Sequence, residues 1–149
     1  TSGGFVELSG LNTFFPLDWF SKRQSATSHS TTEAELVAAS KMLEESIIPI
    51  QSLWALMLQR PVDAVLHEDN MSTIVVINAG YSPQLRHIQK HHRISLGEVS
   101  ELCKSENMKL EHIETDKQKG DLMTKGLARP KHESAMHMVG LYPVIVISG

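Results

Sequence analysis

The spacing of apolar positions changes along this chain, and each change marks an element. Residues 3–8 and 17–21 read as two short strands joined as a hairpin, with 11–15 as an irregular turn ending before Pro16. The stretch 24–30 is polar, and Ser30 or Thr31 is placed to cap a helix. Leu36, Ala39, Leu43 and Ile47 then recur at helical spacing, and Pro49 predicts a kink or division. Ile50, Leu53, Trp54, Met57 and Leu58 continue an apolar face beyond it. Residues 62–66 form a compact strand candidate, and 72–79 a short helix closed by Gly80. A loop with Pro83 leads into a long polar helix over 86–105. Alternation over 108–113 predicts a half-buried strand. Residues 120–127 read as helical, with Arg129-Pro130 as a break and a further turn or two over 133–139. Strands alternating with helices predict an α/β layered fold.

Composition narrows the class. A chain of 149 residues, 41% hydrophobic, makes one domain with a real core. No window reaches the ~18 apolar residues of a membrane span, and no signal peptide is visible, so no membrane partner is expected. The first residue is Thr1, which reads as an excised piece or a processed product. The single cysteine, Cys103, excludes an internal disulfide and fits a reducing compartment. The net charge of −3 argues mildly against nucleic-acid binding. Local charge modifies that reading. Lys22 and Arg23 form one basic pair, and residues 86–93 a group rich in His, Arg and Lys. Lys117, Lys119, Lys125, Arg129 and Lys131 surround Asp121.

Three separated acids carry the candidate chemistry. Glu35 lies in Thr-Thr-Glu-Ala-Glu-Leu at a helix start, Asp69 in His-Glu-Asp-Asn after a strand, and Asp121 in Gly-Asp-Leu-Met-Thr-Lys at another helix start. Carboxylates delivered from separate elements are what a two-metal phosphoryl-transfer site needs.

The segments around them carry a resemblance. They are Trp19-Phe20-Ser21-Lys22-Arg23-Gln24, Ser30-Thr31-Thr32-Glu33-Ala34-Glu35-Leu36, Glu68-Asp69-Asn70, Arg86-His87-Ile88 and Gly120-Asp121-Leu122-Met123-Thr124-Lys125-Gly126-Leu127. In order and spacing the chain resembles the ribonuclease H domain of copia-type LTR retrotransposon Pol polyproteins from about Gly3 to Leu141, which makes residues 1–141 one N-terminally truncated domain. The resemblance implies a ribonuclease H-like mixed sheet flanked by helices, and cleavage of the RNA strand of an RNA/DNA hybrid. Of the family's four carboxylates, Glu35, Asp69 and Asp121 match three as catalytic residues and metal ligands. The fourth belongs to a first strand that lies upstream of Thr1 and is absent here. Position 89, often acidic in the family, is Gln, and Gly120 replaces a small Ala.

In the implied scheme one Mg²⁺ activates water and a second stabilises the departing 3′ oxygen, with Mn²⁺ as the alternative ion. One missing ligand predicts weak metal binding and little or no cleavage by this chain alone. Lys22, Arg23, Asn70, Arg86, Lys119 and Lys125 are the candidate nucleic-acid contacts. The implied partners are the hybrid and the upstream reverse transcriptase part of the polyprotein. The implied location is a cytoplasmic virus-like particle or the nucleus. Two other readings stand beside this one. A non-catalytic scaffold or interaction domain could keep the fold. His87 and His91, four apart on one helix face, could bind a transition metal, although no third ligand stands at a convincing spacing. Glu33, two residues from Glu35, reads as a first-turn charge favourable to the helix dipole. Finally, residues 142–149 form an apolar tail whose Val144-Ile145-Val146-Ile147 run could fill the central place of the missing strand.

Overall fold

The computed structural model describes residues 1–24 and 27–142, so the tail proposed for the central place lies outside the described residues. The chain is α/β, with helices around small sheets, an arrangement compatible with a ribonuclease H-like fold. It opens with a hairpin of β1 (Ser2–Gly10) and β2 (Thr13–Lys22), paired antiparallel from Ser2 with Lys22 to Gly10 with Thr13. Residues 11–15 are therefore not a loop, since only Leu11 and Asn12 make the turn. Pro16, which suggested a break, sits where the register shifts between Val6 and Glu7. A bulge is one of the few places inside a ladder that tolerates a residue without an N–H.

Helix α1 (Thr31–Met42) begins at Ser30, whose Oγ accepts from the Glu33 N–H at 3.1 Å. It buries Leu36, Ala39 and Met42, and a wide π-helical turn, Leu43–Ile47, buries Leu43 and Ile47 next. Pro49 falls in the first turn of α2 (Ile48–Leu58), immediately beyond that π turn. The widened turn accommodates the ring, so the helical path continues instead of dividing. The apolar face expected on α2 is largely uncovered, with Leu53, Leu56, Met57 and Leu58 exposed.

Strand β3 (Ala64–Glu68) pairs in parallel with β4 (Met108–His112). The crossover holds α3 (Met71–Ala79), a 3₁₀ turn (Pro83–Leu85), α4 (Ile88–His92) and α5 (Leu96–Cys103). The single helix expected over 86–105 is thus two. Arg93 adopts the left-handed conformation at φ 59°, and Ser95 caps α5 by accepting from the Glu98 N–H. Beyond β4, α6 (Asp121–Thr124) is one turn long, and α7 (Arg129–Met138) starts at the Arg129-Pro130 pair read as a break. Proline suits a helix's first turn, where its missing N–H has no partner to lose.

The core joins Leu36, Leu43 and Ile47 to Leu66, Ile77, Ile88, Val99, Cys103 and Met108. Burial pushes the Cys103 thiol up to about 11, which makes it an inert packing residue. No helix among the described residues is long and apolar enough to cross a membrane.

Among the described residues β1 pairs with β2 alone and β3 with β4 alone. A cleft of about 670 Å³ runs between β1 and β3, lined also by α1 and by the loop leading to α6. Helix α6 is pressed onto the hairpin. Ser21 Oγ donates to the Met123 carbonyl at 2.5 Å, and a Cβ on Gly3 would lie 2.5 Å from Thr124 Cγ2 and 2.8 Å from Met123 Cβ. Gly3→Ala should therefore destabilise the fold by about 1–3 kcal/mol, as overpacking does. Gly10→Ala, whose nearest neighbour would be 3.6 Å away, should change the urea midpoint little. Equal midpoints for the two variants would show that α6 is not packed against β1.

Candidate functional site

At one end of the cleft three carboxylates converge. Glu35 comes from α1, Glu68 is the last residue of β3, and Asp69 follows it. Each offers an oxygen, and the three oxygens lie within 4.8 Å of one another. The local structure explains how they are held. Period-two alternation turns Leu66 and Glu68 to the same buried side of β3. Glu68 is 7% exposed, and its Oε1 accepts from the Asn70 N–H at 3.0 Å. Asn70 then caps α3, its Oδ1 accepting from the Ser72 N–H at 2.9 Å. In the first turn of α3 the fully buried Thr73 donates its hydroxyl to Glu35 Oε2 at 3.1 Å. The helix cap, the strand end and the α1 carboxylate are thereby tied together.

Electrostatics follow from the crowding. Burial pushes the Glu68 carboxyl up to about 7, with the charges of Glu35 and Asp69 adding to the shift and backbone hydrogen bonds opposing it. Asp121 lines the same cleft but stands outside the group of three. Its Oδ1 is 2.7 Å from Lys125 Nζ. Burial lowers the Lys125 ammonium, but the Asp121 hydrogen bond and the charges of Asp121, Asp69 and Glu35 outweigh it and hold the ammonium above its ordinary range. A donor set made of carboxylate oxygens suits hard divalent cations such as Mg²⁺ and Mn²⁺.

Glu35 and Asp69, expected together from the sequence, are brought together, whereas Asp121 is turned to Lys125. Glu68 and Thr73 escaped the sequence reading. The usable signal for Glu68 was its two-residue step from Leu66; Thr73 had none beyond its place after a capping Asn. The basic residues do not form one surface patch. Lys22 pairs with Glu45 at 3.4 Å, and Arg23 lies beside it in a separate groove lined by Glu44 and Glu45. Arg86 donates to the Tyr81 hydroxyl at 3.0 Å. Lys119 is bound to Glu7 and lies 4.6 Å from the centre of the Phe14 ring. Lys117, Lys119 and Lys125 line the acidic cleft, and the last two are among the expected nucleic-acid contacts.

Glu33 is in the first turn of α1, as expected, but it is fully buried on the other side of the helix, accepts from the His29 backbone N–H at 2.8 Å, and meets His87 Nε2 at 3.1 Å and His92 Nε2 at 3.0 Å. Burial raises its carboxyl, but these hydrogen bonds together hold it below the ordinary range. The short helix α4 supplies His92, and its N-cap supplies His87.

Known proteins resemble this chain over most of its length. It is 31% identical over 127 residues, 85% of this chain, to the Retrovirus-related Pol polyprotein from transposon TNT 1-94 of Nicotiana tabacum. It is 25% identical over 145 residues, 97% of this chain, to the Retrovirus-related Pol polyprotein from transposon RE2 of Arabidopsis thaliana. Its homologues are retrovirus-related Pol polyproteins of plant transposons. The chain spans about a tenth of the length of these curated relatives, 9% of one and 10% of the other. No family model and no solved structure matches it.

Two acids should give opposite pH signatures in divalent-free buffer. Glu68 has a folded value near 7 against an ordinary 4.5, so its contribution is complete below 4.5 and lost as pH rises through about 7. Glu33 has a depressed folded value, so its contribution is present above 4.5 and lost as pH falls through that lower value. Urea unfolding of Glu68→Gln should therefore lose the decline in stability that the parent chain shows between about pH 5 and about pH 7. An unchanged slope would mean that Glu68 is not confined beside Glu35 and Asp69.

Proposed function

We propose that this chain is the ribonuclease H-like part of a retrotransposon Pol polyprotein and that its acidic cluster serves hydrolysis of the RNA strand in RNA/DNA hybrids. The observation that carries the reading is the meeting of Glu35, Glu68 and Asp69 at the end of an open cleft, in a chain whose homologues are Pol polyproteins. When bound there, Mg²⁺ or Mn²⁺ would supply Lewis acidity to a phosphodiester and acidify a coordinated water.

The chain's own residues do the rest. Glu35, Glu68 and Asp69 would hold the ion, with Asp121 of α6 lining the same cleft. Thr73 fixes the orientation of Glu35. Lys125 supplies a counter-charge to the acids, a role that a bound cation would share. Lys119 and Lys125 stand where a phosphate backbone would pass the cleft, while Lys22, Arg23 and Arg86 offer more distant phosphate contacts. Recognition of a hybrid would rest on backbone phosphates and 2′-hydroxyls, not on base sequence. Asn70 has its Oδ1 committed to the α3 cap, which makes it first a support for the site.

One observation favours a second reading. Lys125 is close enough to Asp121, Asp69 and Glu35 for all three to raise its pKa, so the acids carry a built-in counter-charge that needs no metal. A non-catalytic domain that keeps the fold would use that arrangement.

Cleavage of a labelled RNA/DNA hybrid separates the two. The nuclease reading expects little or no cutting by the chain of 149 residues alone. It expects Mg²⁺- or Mn²⁺-dependent cutting by a longer segment of its Pol polyprotein, abolished by Asp69→Asn. A longer segment inert with both ions would favour the scaffold. Efficient cutting by the short chain would overturn the expectation that its carboxylate set is one short.

A further inference from the structure

A second cluster of metal-binding side chains lies on the other side of α1, away from the acidic cleft. His29 precedes the α1 cap, His87 is the N-cap of α4, and His91 follows one turn later. Their rings form a triangle, with centres 5.4 Å apart for His29 and His87, 5.6 Å for His87 and His91, and 6.5 Å for His29 and His91. Three imidazoles on one tetrahedral zinc, at Zn–N of about 2.0–2.1 Å, have ring centres about 5 Å apart. Two sides of the triangle are already close to that length, and the third is long. The nitrogens do not converge as the three carboxylates do, so side-chain rotation must close the set. His29 and His91 are exposed and have the room to turn.

We propose that His29, His87 and His91 form a binding site for a zinc-class transition-metal dication, supported from beneath by Glu33. The support has a specific chemistry. A carboxylate only accepts hydrogen bonds, so His87 Nε2 carries its proton toward Glu33 Oε1, at 3.1 Å, and leaves Nδ1 with a lone pair for the metal. A carboxylate–histidine–metal relay of this kind fixes the tautomer and raises the basicity of the ligand. His92 Nε2 stands 3.0 Å from the same Glu33 oxygen and is itself buried, so the carboxylate is clamped from a second side. His29 and His91 are exposed, so solvent reaches the cluster past them. Imidazole donors suit zinc, and the carboxylate cluster across α1 suits Mg²⁺ or Mn²⁺.

The test is zinc titration of the chain, prepared without a histidine tag, by competition with a chromophoric chelator. One Zn²⁺ per chain is expected, with excess Mg²⁺ leaving it in place. His29→Ala and His91→Ala remove exposed rings that no core contact needs, and each should weaken zinc at least tenfold. Glu33→Gln should weaken it roughly 10–100-fold, as loss of an outer carboxylate does. Asp69→Asn should leave zinc affinity unchanged, and bound Co²⁺ should give the intense visible bands of a tetrahedral site. Absence of stoichiometric zinc would overturn the proposal. So would a loss of less than tenfold in both exposed histidine variants, or zinc lost in Asp69→Asn. If Glu33→Gln unfolds the chain, the two exposed variants and the cobalt spectrum still decide the matter.

Discussion

Confinement of like charge is the constraint on which this structure turns. Three carboxylate oxygens within 4.8 Å of one another repel, and one of the acids, Glu68, is buried as well. The chain offsets this cost locally. The Asn70 N–H, the Thr73 hydroxyl and the Lys125 ammonium each face one or more of the acids, and all three are set by short-range structure. The strand end, the α3 cap and the α6 turn therefore serve the same few oxygens. A site that stores repulsion in this way gains most when a cation relieves it.

Helix α1 is what keeps the arrangement rigid. Among the described residues the hairpin and the β3–β4 pair share no ladder, and the buried stripe of Leu36, Ala39, Met42 and Leu43 bridges them. The same helix presents Glu35 to the cleft and Glu33 to the histidines. Two residues on a helix are about 200° apart, which sends the two acids to opposite sides. One element thus positions both candidate sites, and the cleft between the sheets remains open beside the first.

Much of this was legible in the sequence. The context of Glu35 and Asp69 singled out two acids that the fold brings together, because a helix start and a strand end are strong local signals. The strand expected over 62–66 lies two residues later, at 64–68, while that expected over 108–113 spans 108–112 and the Gly80 helix stop is where it was read. What failed was punctuation. Pro16 was read as closing a turn and Pro49 as a kink or division, yet a bulge and a π turn absorb them; Arg129-Pro130 does separate α6 from α7, but by opening the first turn of α7. Arg93 ends α4 in a left-handed conformation without the glycine that would have announced it. Glu33 and Glu68 were misjudged or missed for one reason: burial of a carboxylate depends on distant partners, here His87 and His92 for one and the Glu35 side of α1 for the other. Local periodicity carries no information about those partners.

The most direct test of the central claim is binding of Mn²⁺ to the chain, followed by the loss of the free-ion electron paramagnetic resonance signal. If the acids form a cation site, the parent chain will take up Mn²⁺ saturably, and both Glu68→Gln and Asp69→Asn will weaken it. Uptake no greater than in those two variants would contradict the claim and leave the cluster as an acidic pocket balanced by Lys125 alone.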